Sequence, residues 1–317
     1  MARLMLASCL IAKQRAILDV PKSYYYQAYG LVLQLTFPCL ALSPAPENAV
    51  PDVIMTEGPV RTYIYEPDAK RPRWQAKSGV FLWRGGRDVG LFLVETGSRI
   101  TLERGPKAVD HLLELHFMHQ VLAAVLRQRG MVVLHGSSAL APGGGVVLCG
   151  ISGSGKSTTL AALINQNCKM ISDEITALRA GEDGAVQIEP GSSQFHLCED
   201  AAERLVENNA GMPRNPWNKD KVEVRAPEAV AVGCALSAIY LLTADNSGDE
   251  LAVQPISGSA RLSTLLDCVY SPFLPSEQIP SFPLLSLVAD KTPMYHVSRP
   301  AGWSVDEIAD AIISHVV

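Results

Sequence analysis

Gly150-Ile151-Ser152-Gly153-Ser154-Gly155-Lys156-Ser157 fits the pattern G-x-x-x-x-G-K-[ST] at every fixed position of a 317-residue chain. The apolar run Val146–Cys149 precedes it and a helix-prone segment, Thr158–Asn167, follows. Strand, loop and helix in that order give the pattern a physical use. Glycines at 150, 153 and 155 let the backbone curl until successive N–H groups face one point, and the start of a helix adds its positive end. Lys156 is then placed to reach the β- and γ-phosphates of a nucleotide, and the Ser157 hydroxyl to take a Mg²⁺ ligand position. Gly150, Ser152, Gly153, Ser154, Gly155, Lys156, Ser157 and Thr158 are therefore the candidate ATP-binding residues.

Working outward, Asp173 stands seventeen residues after Lys156, followed by Glu174, at the end of the short apolar run Met170–Ser172. A carboxylate at the carboxyl end of a strand beside such a loop sits where a metal ligand or a base for an attacking hydroxyl belongs. The same pair would also open an ordinary surface turn. Upstream, the apolar runs Met131–Leu134 and Val146–Cys149 are joined by Ala141-Pro142-Gly143-Gly144-Gly145, a tight β connection that sets them side by side. That places His135 and Gly136 at the end of the first run, at the same sheet edge as the loop. Asp173, His135 and Lys156 are the candidate catalytic residues, and Ser157, Asp173 and Glu174 the candidate Mg²⁺ ligands.

His135-Gly136, the Gly150–Ser157 loop and Asp173-Glu174, in that order and spacing, resemble the kinase domain of HPr kinase/phosphorylase, a relative of phosphoenolpyruvate carboxykinase. That family pairs an H-G element, a G-x-S-G-x-G-K-S loop and an Asp-Asp pair after one helix. The resemblance is strong over Met131 to Leu178 and extends to Ala235–Val317 only in the pattern of strands and closing helix. It implies that Asp173 takes the proton from a serine hydroxyl, that Glu174 helps hold Mg²⁺, and that His135 lies near the transferring phosphoryl group. Glu174 stands where the family has a second Asp, with a longer reach. The glycine-rich signature of the bifunctional enzymes has no counterpart here, so phosphorolysis and their hexameric assembly are not carried over. The amino-terminal part, with Tyr29-Gly30-Leu31, looks more like stand-alone HPr-kinase-like proteins. Some of these are encoded beside peptide-modifying enzymes and phosphorylate a serine of a ribosomally made precursor, as in lasso peptide maturation.

The fold class expected is α/β, a P-loop kinase domain of the HPr kinase type with a mixed sheet at 109–317, preceded by a small antiparallel β-rich domain at 1–108. The β reading rests on short runs at Gly30–Phe37, Val60–Tyr65, Gly79–Trp83, Val89–Val94 and Ser98–Glu103, broken by prolines and Gly-Gly or Thr-Gly pairs. Val109–Arg129 then changes to helical spacing, stopped by Gly130. Its His116 and His119 share a face, yet no carboxylate or cysteine set nearby completes a metal site, so packed or solvated histidines are expected. Asn208–Pro227 reads as a proline-broken lid or acceptor-binding loop. Within it Lys221 is a candidate phosphate contact or an ordinary solvated side chain. Strands at Ala235–Leu242 and Met294–Val297 and a helix near Val305–His315 complete the chain.

A formal charge of −5, from 27 basic and 32 acidic residues, gives no footprint for nucleic acid. Seven scattered cysteines, never spaced C-x-x-C, read as reduced thiols. Five residues separate Arg3 from Cys9, and Lys13 and Arg15 follow, too short an apolar stretch for export or a membrane span; a cytoplasmic protein is expected. The partner expected is a peptide or protein bearing an acceptor serine. Two other classes fit the same residues: a small-molecule kinase acting on free serine or a similar hydroxyl, and a nucleotide-binding regulator without transfer. A homo-oligomer is compatible with the sequence.

Overall fold

Residues 22–46, 48–181, 184–206, 211–216, 218–244, 250–270, 281–299 and 304–316 are described in the computed structural model. Arg3, Cys9, Lys13 and Arg15 lie outside the described residues.

The first nine strands are β1 (Tyr24–Ala28), β2 (Leu31–Leu35), β3 (Ser43–Pro44), β4 (Val53–Glu57), β5 (Ala69–Arg71), β6 (Trp74–Lys77), β7 (Val80–Gly86), β8 (Gly90–Glu95) and β9 (Arg99–Arg104). They form one sheet in the order β3-β1-β2-β4-β9-β8-β7-β6-β5. Alternation drives the assembly: Leu31, Leu33 and Leu35 of β2 are buried while Val32 and Gln34 are not. The sheet is neither small nor purely antiparallel, as expected from sequence, because β4 pairs parallel with both β2 and β9. The connections into and out of β4 are long enough to bring the chain back to the starting end, which a parallel pair requires. Val60–Tyr65, expected as a strand, is not one. Its amides are met by side chains instead: Val60 N–H donates to Glu103 Oε2 at 2.6 Å and Ile64 N–H to Gln75 Oε1 at 2.7 Å.

The predicted helix after this sheet is α1 (Asp110–His116), a π turn (Phe117–Val121) and α2 (Leu122–Gln128). The wide turn keeps Leu113, Phe117, Val121, Leu122, Val125 and Leu126 all fully buried under the sheet. It also buries His116, whose Nδ1 accepts the Trp83 indole N–H at 2.9 Å. One apolar core joins both helices and the first sheet to Val133, Ile175, Ala177 and Tyr270.

The second sheet holds β10 (Val132–Ala141), β11 (Gly144–Cys149), β12 (Lys169–Ser172), β13 (Ile175–Ala180), β14 (Val186–Glu189), β17 (Cys234–Ala244), β18 (Ala252–Pro255) and β19 (Met294–Arg299). Its order is β11-β10-β13-β14-β17-β19-β18, with β12 also on β10 and β11 also on β17, so the pairings close on themselves. Parallel contacts at β11–β17 and β17–β19 among antiparallel ones make it mixed. His135 and Gly136 lie inside β10, not at its end: Val132–His135 pair with β13, and Gly136–Ala141 turn to pair with β11. β15 (Gln194–Cys198) and β16 (Lys221–Arg225) form a separate antiparallel ribbon. Helix α3 (Lys156–Asn165) packs through Leu160 and Leu163 on Ile308 and Ile312 of the closing helix, Val305–Val316. Each such fully buried side chain stabilises by roughly 2 kcal/mol.

Among the described residues no helix is long and apolar enough to cross a membrane, and the six cysteines there are free.

Candidate active site

The loop 150–155 leaves β11 at the fully buried Cys149 and enters α3 at Lys156. Gly150 has φ 138°, and a Cβ there would stand 2.5 Å from the Leu242 carbonyl on β17, so no other residue passes at this point. Gly155, at φ 95°, starts the helix from a left-handed conformation. The Lys156 ammonium lies back over the loop, donating to the carbonyls of Gly150 at 2.8 Å and Ile151 at 3.1 Å. Burial lowers its pKa, opposed by the charges of Glu174 and Asp173. Ser152 and Gly153 are exposed at the loop tip, with Ser154 buried beneath them. Thr158 sits half-buried on the first turn of α3.

Asp173 follows β12 directly, in the turn beside this loop, and is 5% exposed. Its carboxylate accepts from Ser137 Oγ at 2.5 Å, from Ser157 Oγ at 3.1 Å to each oxygen, and from the His196 backbone N–H at 3.3 Å. Burial, and then the charge of Glu174, push its pKa above the usual carboxylate range, although these donors pull the other way. Beneath it, Ser138 and Ser172 share a 2.7 Å hydrogen bond, and Thr176 Oγ1 donates to the Gly136 carbonyl at 3.1 Å. This network fixes the turn between β12 and β13 against β10.

Glu174 occupies that turn with φ 64°, a conformation that costs a non-glycine residue energy and that tends to persist at functional sites. The turn aims its carboxylate between two bases: His135 Nδ1 at 3.6 Å and Lys221 Nζ at 3.8 Å. Lys221 opens β16, not a loop as expected. Val222 and Val224 are buried, Lys221 and Glu223 less so, and this alternation makes the segment a strand. Of the expected lid, Asn208, Asn209, Ala210 and Trp217 lie outside the described residues.

Ligand atoms of Asp173, Glu174 and His196 lie within 4.8 Å of one another. The Ser157 hydroxyl stands against Asp173, so oxygens of Ser157, Asp173 and Glu174 lie in this neighbourhood, the donor type that suits a hard cation such as Mg²⁺. His196 adds a nitrogen.

On the other side of Asp173 opens a cavity of about 120 Å³ whose lining includes Tyr29, Glu114, His119, Glu174 and His196. It lies in the seam between the first sheet, α1 with its π turn, and the β15–β16 ribbon. Tyr29 O–H donates to the Ile175 carbonyl at 3.1 Å, and the Ala41 N–H to Glu114 Oε1 at 2.8 Å, which ties the seam together. Burial, and next the charge of His196, lower the His119 pKa to about 4, so its ring is neutral near pH 7. His119, expected to be packed or solvated, is packed and also lines the cavity.

Lys156, Ser157, Asp173, Glu174, His135 and Lys221 are therefore brought together. Ser137, His196 and Tyr29 join them without having been picked out as site residues in the sequence. Ser137 had a legible signal, since on a strand it shares a face with His135 two positions earlier. His196 had none.

No protein-family model matches the chain, and no curated protein matches it. Among solved structures, the Hpr(Ser) kinase/phosphatase from Coxiella burnetii is similar over 58% of this chain and 95% of that one, at 10% sequence identity and a TM-score of 0.32. So distant a likeness leaves every functional reading to the residues themselves.

Proposed function

We propose that the protein is an ATP-dependent kinase that transfers the γ-phosphoryl group to a serine hydroxyl of a peptide or protein. The observation that carries this reading is the position of Asp173, a buried carboxylate that touches the last residue of the phosphate loop on one side and walls the seam cavity on the other. A group so placed meets both the triphosphate end and an incoming hydroxyl.

In the proposed reaction the acceptor oxygen attacks the γ-phosphorus, the bond from that phosphorus to the bridging oxygen breaks, and ADP leaves with the electron pair. The hydroxyl proton passes to Asp173, whose raised pKa suits it to hold one. Loop amides and Lys156 would take the phosphate charge, Lys156 exchanging its bonds to the Gly150 and Ile151 carbonyls for phosphate oxygens. His135 and Lys221 hold Glu174 in place. Ser157, Asp173 and Glu174 would hold Mg²⁺, which when bound supplies further charge for the triphosphate. The β-rich part up to residue 108 would grip the acceptor, since its Tyr29 and its Leu40-Ala41 loop reach the cavity.

Incubation with γ-labelled ATP, Mg²⁺ and either a serine peptide or free serine tests the proposal. Label on the peptide is expected. Label on free serine would instead identify a small-molecule kinase, and nucleotide binding without transfer would identify a regulator. Asp173→Asn should lower transfer by about 10³-fold or more and leave nucleotide affinity within a few-fold, whereas Lys156→Ala should weaken nucleotide binding itself. Wild-type transfer by the Asp173→Asn protein would sink the base assignment.

A further inference from the structure

One carboxylate in the lining of the seam cavity has an oxygen that lacks a hydrogen-bond donor. The Glu223 side chain is 10% exposed, and its Oε1 is buried with no hydrogen-bond partner among the described residues. The nearest nitrogens are His111 Nε2 at 3.4 Å and His196 Nε2 at 4.0 Å. A second carboxylate of the same lining is Glu114, 8% exposed. One of its oxygens takes the Ala41 N–H, and the other lies 4.0 Å from His111 Nδ1. Glu223 thus has His111 and His196 near it yet no donor on its Oε1, and a buried oxygen left without a donor is a demand for one. The same cavity is also lined by the apolar Leu40, Leu115, Met118 and Pro213. A lining of apolar side chains together with carboxylates suits a long basic side chain, whose stem packs on hydrocarbon while its head is charged.

The spacing to the proposed base is set by one residue. His196 donates its backbone N–H to Asp173, its ring lies beside Glu223, and the two residues are direct partners across β15 and β16. On the reading of Asp173 as base, we infer that the cavity selects a serine with a lysine or arginine two positions away, Glu223 receiving the cationic head. In an extended peptide residues two apart share a face, so hydroxyl and cation reach Asp173 and Glu223 together. The α-ammonium of free serine, attached to the next carbon, is too close to its own hydroxyl to span the same two carboxylates.

Calorimetric titration of the full chain with the capped peptides Lys-Gly-Ser-Gly-Lys and Nle-Gly-Ser-Gly-Nle, where Nle is norleucine, and with free serine tests this. The lysine peptide is expected to bind at least ten-fold tighter than both. The Glu223→Gln protein should bind the two peptides within two-fold of each other. Equal binding by the unaltered protein, tighter binding of free serine, or a ten-fold preference that survives Glu223→Gln would each overturn the inference. If Glu223→Gln does not fold, a third peptide with glutamate in place of lysine decides on the unaltered protein, which must rank lysine above norleucine above glutamate. Phosphotransfer followed on the same samples separates the two readings. Preference without transfer leaves the cation site standing and removes the kinase; transfer without preference does the reverse.

Discussion

At the scale of single residues, two side chains hold unfavourable states. Glu174 has φ 64°, where a Cβ crowds the backbone. Its carboxylate also adds to the pressure on Asp173. Glu174→Gly should therefore raise stability by about 0.5–1 kcal/mol in urea denaturation, after allowance for the greater freedom of glycine in the unfolded chain, while transfer falls. A loss of stability would show that the contacts to His135 and Lys221 outweigh the strain. His116 is the second case. Burial, and then the charges of Arg73 and His119, lower its pKa from an ordinary 6.5 to about 4. As pH falls below 6.5 the unfolded chain takes up this proton first, so the contribution is constant above 6.5 and is lost between 6.5 and 4. The loss is on the order of 3 kcal/mol. His116→Gln keeps an acceptor for Trp83 and removes the titration, so the acid midpoint followed by tryptophan fluorescence should move to lower pH.

Elements show which parts of the site a sequence can reveal. The loop between β11 and α3, and the place of Asp173 and Glu174 beside it, were legible because one strand, one turn and one helix set them, all within a span where local geometry governs. Gly150 carries a prediction at this scale. A methyl group there would press on the Leu242 carbonyl of the neighbouring strand, which cannot move without β17. Gly150→Ala should cost about 2–3 kcal/mol in denaturant and abolish binding of a fluorescent ATP analogue. Near-normal affinity would mean that the loop does not form the phosphate cradle. Strand partners were less legible. Nothing local in Val53–Glu57 says that it lies parallel to both neighbours, because that depends on where long connections return the chain. The π turn at Phe117–Val121 likewise answers to the core above it and not to its own propensity.

For the molecule as a whole, the cavity is built from stretches that have no reason to meet until the chain has folded. Tyr29, Glu114, His196 and Glu223 could not have been chosen from the sequence, since each is an ordinary residue of its own element. The apolar core that joins the first sheet to Phe117, Val121, Val133 and Tyr270 has a further consequence. A chain beginning at Val109 would expose that whole face, and it should partition into the insoluble fraction on expression. A soluble fragment with a cooperative thermal transition would show instead that the remainder folds by itself. Glu114 is the polar counterpart of this seam. Glu114→Ala should cost about 1–3 kcal/mol by leaving the Ala41 amide unmet, and Glu114→Gln less, as read from urea midpoints.

The bond from the Tyr29 hydroxyl to the Ile175 carbonyl joins residues 146 positions apart. During synthesis the tyrosine leaves the ribosome long before its acceptor exists, and the strands around it must wait with a greasy underside open to water. Closure over so great a contour length is slow. Newly made chains should accordingly depend on a holding chaperone until translation has passed Ile175.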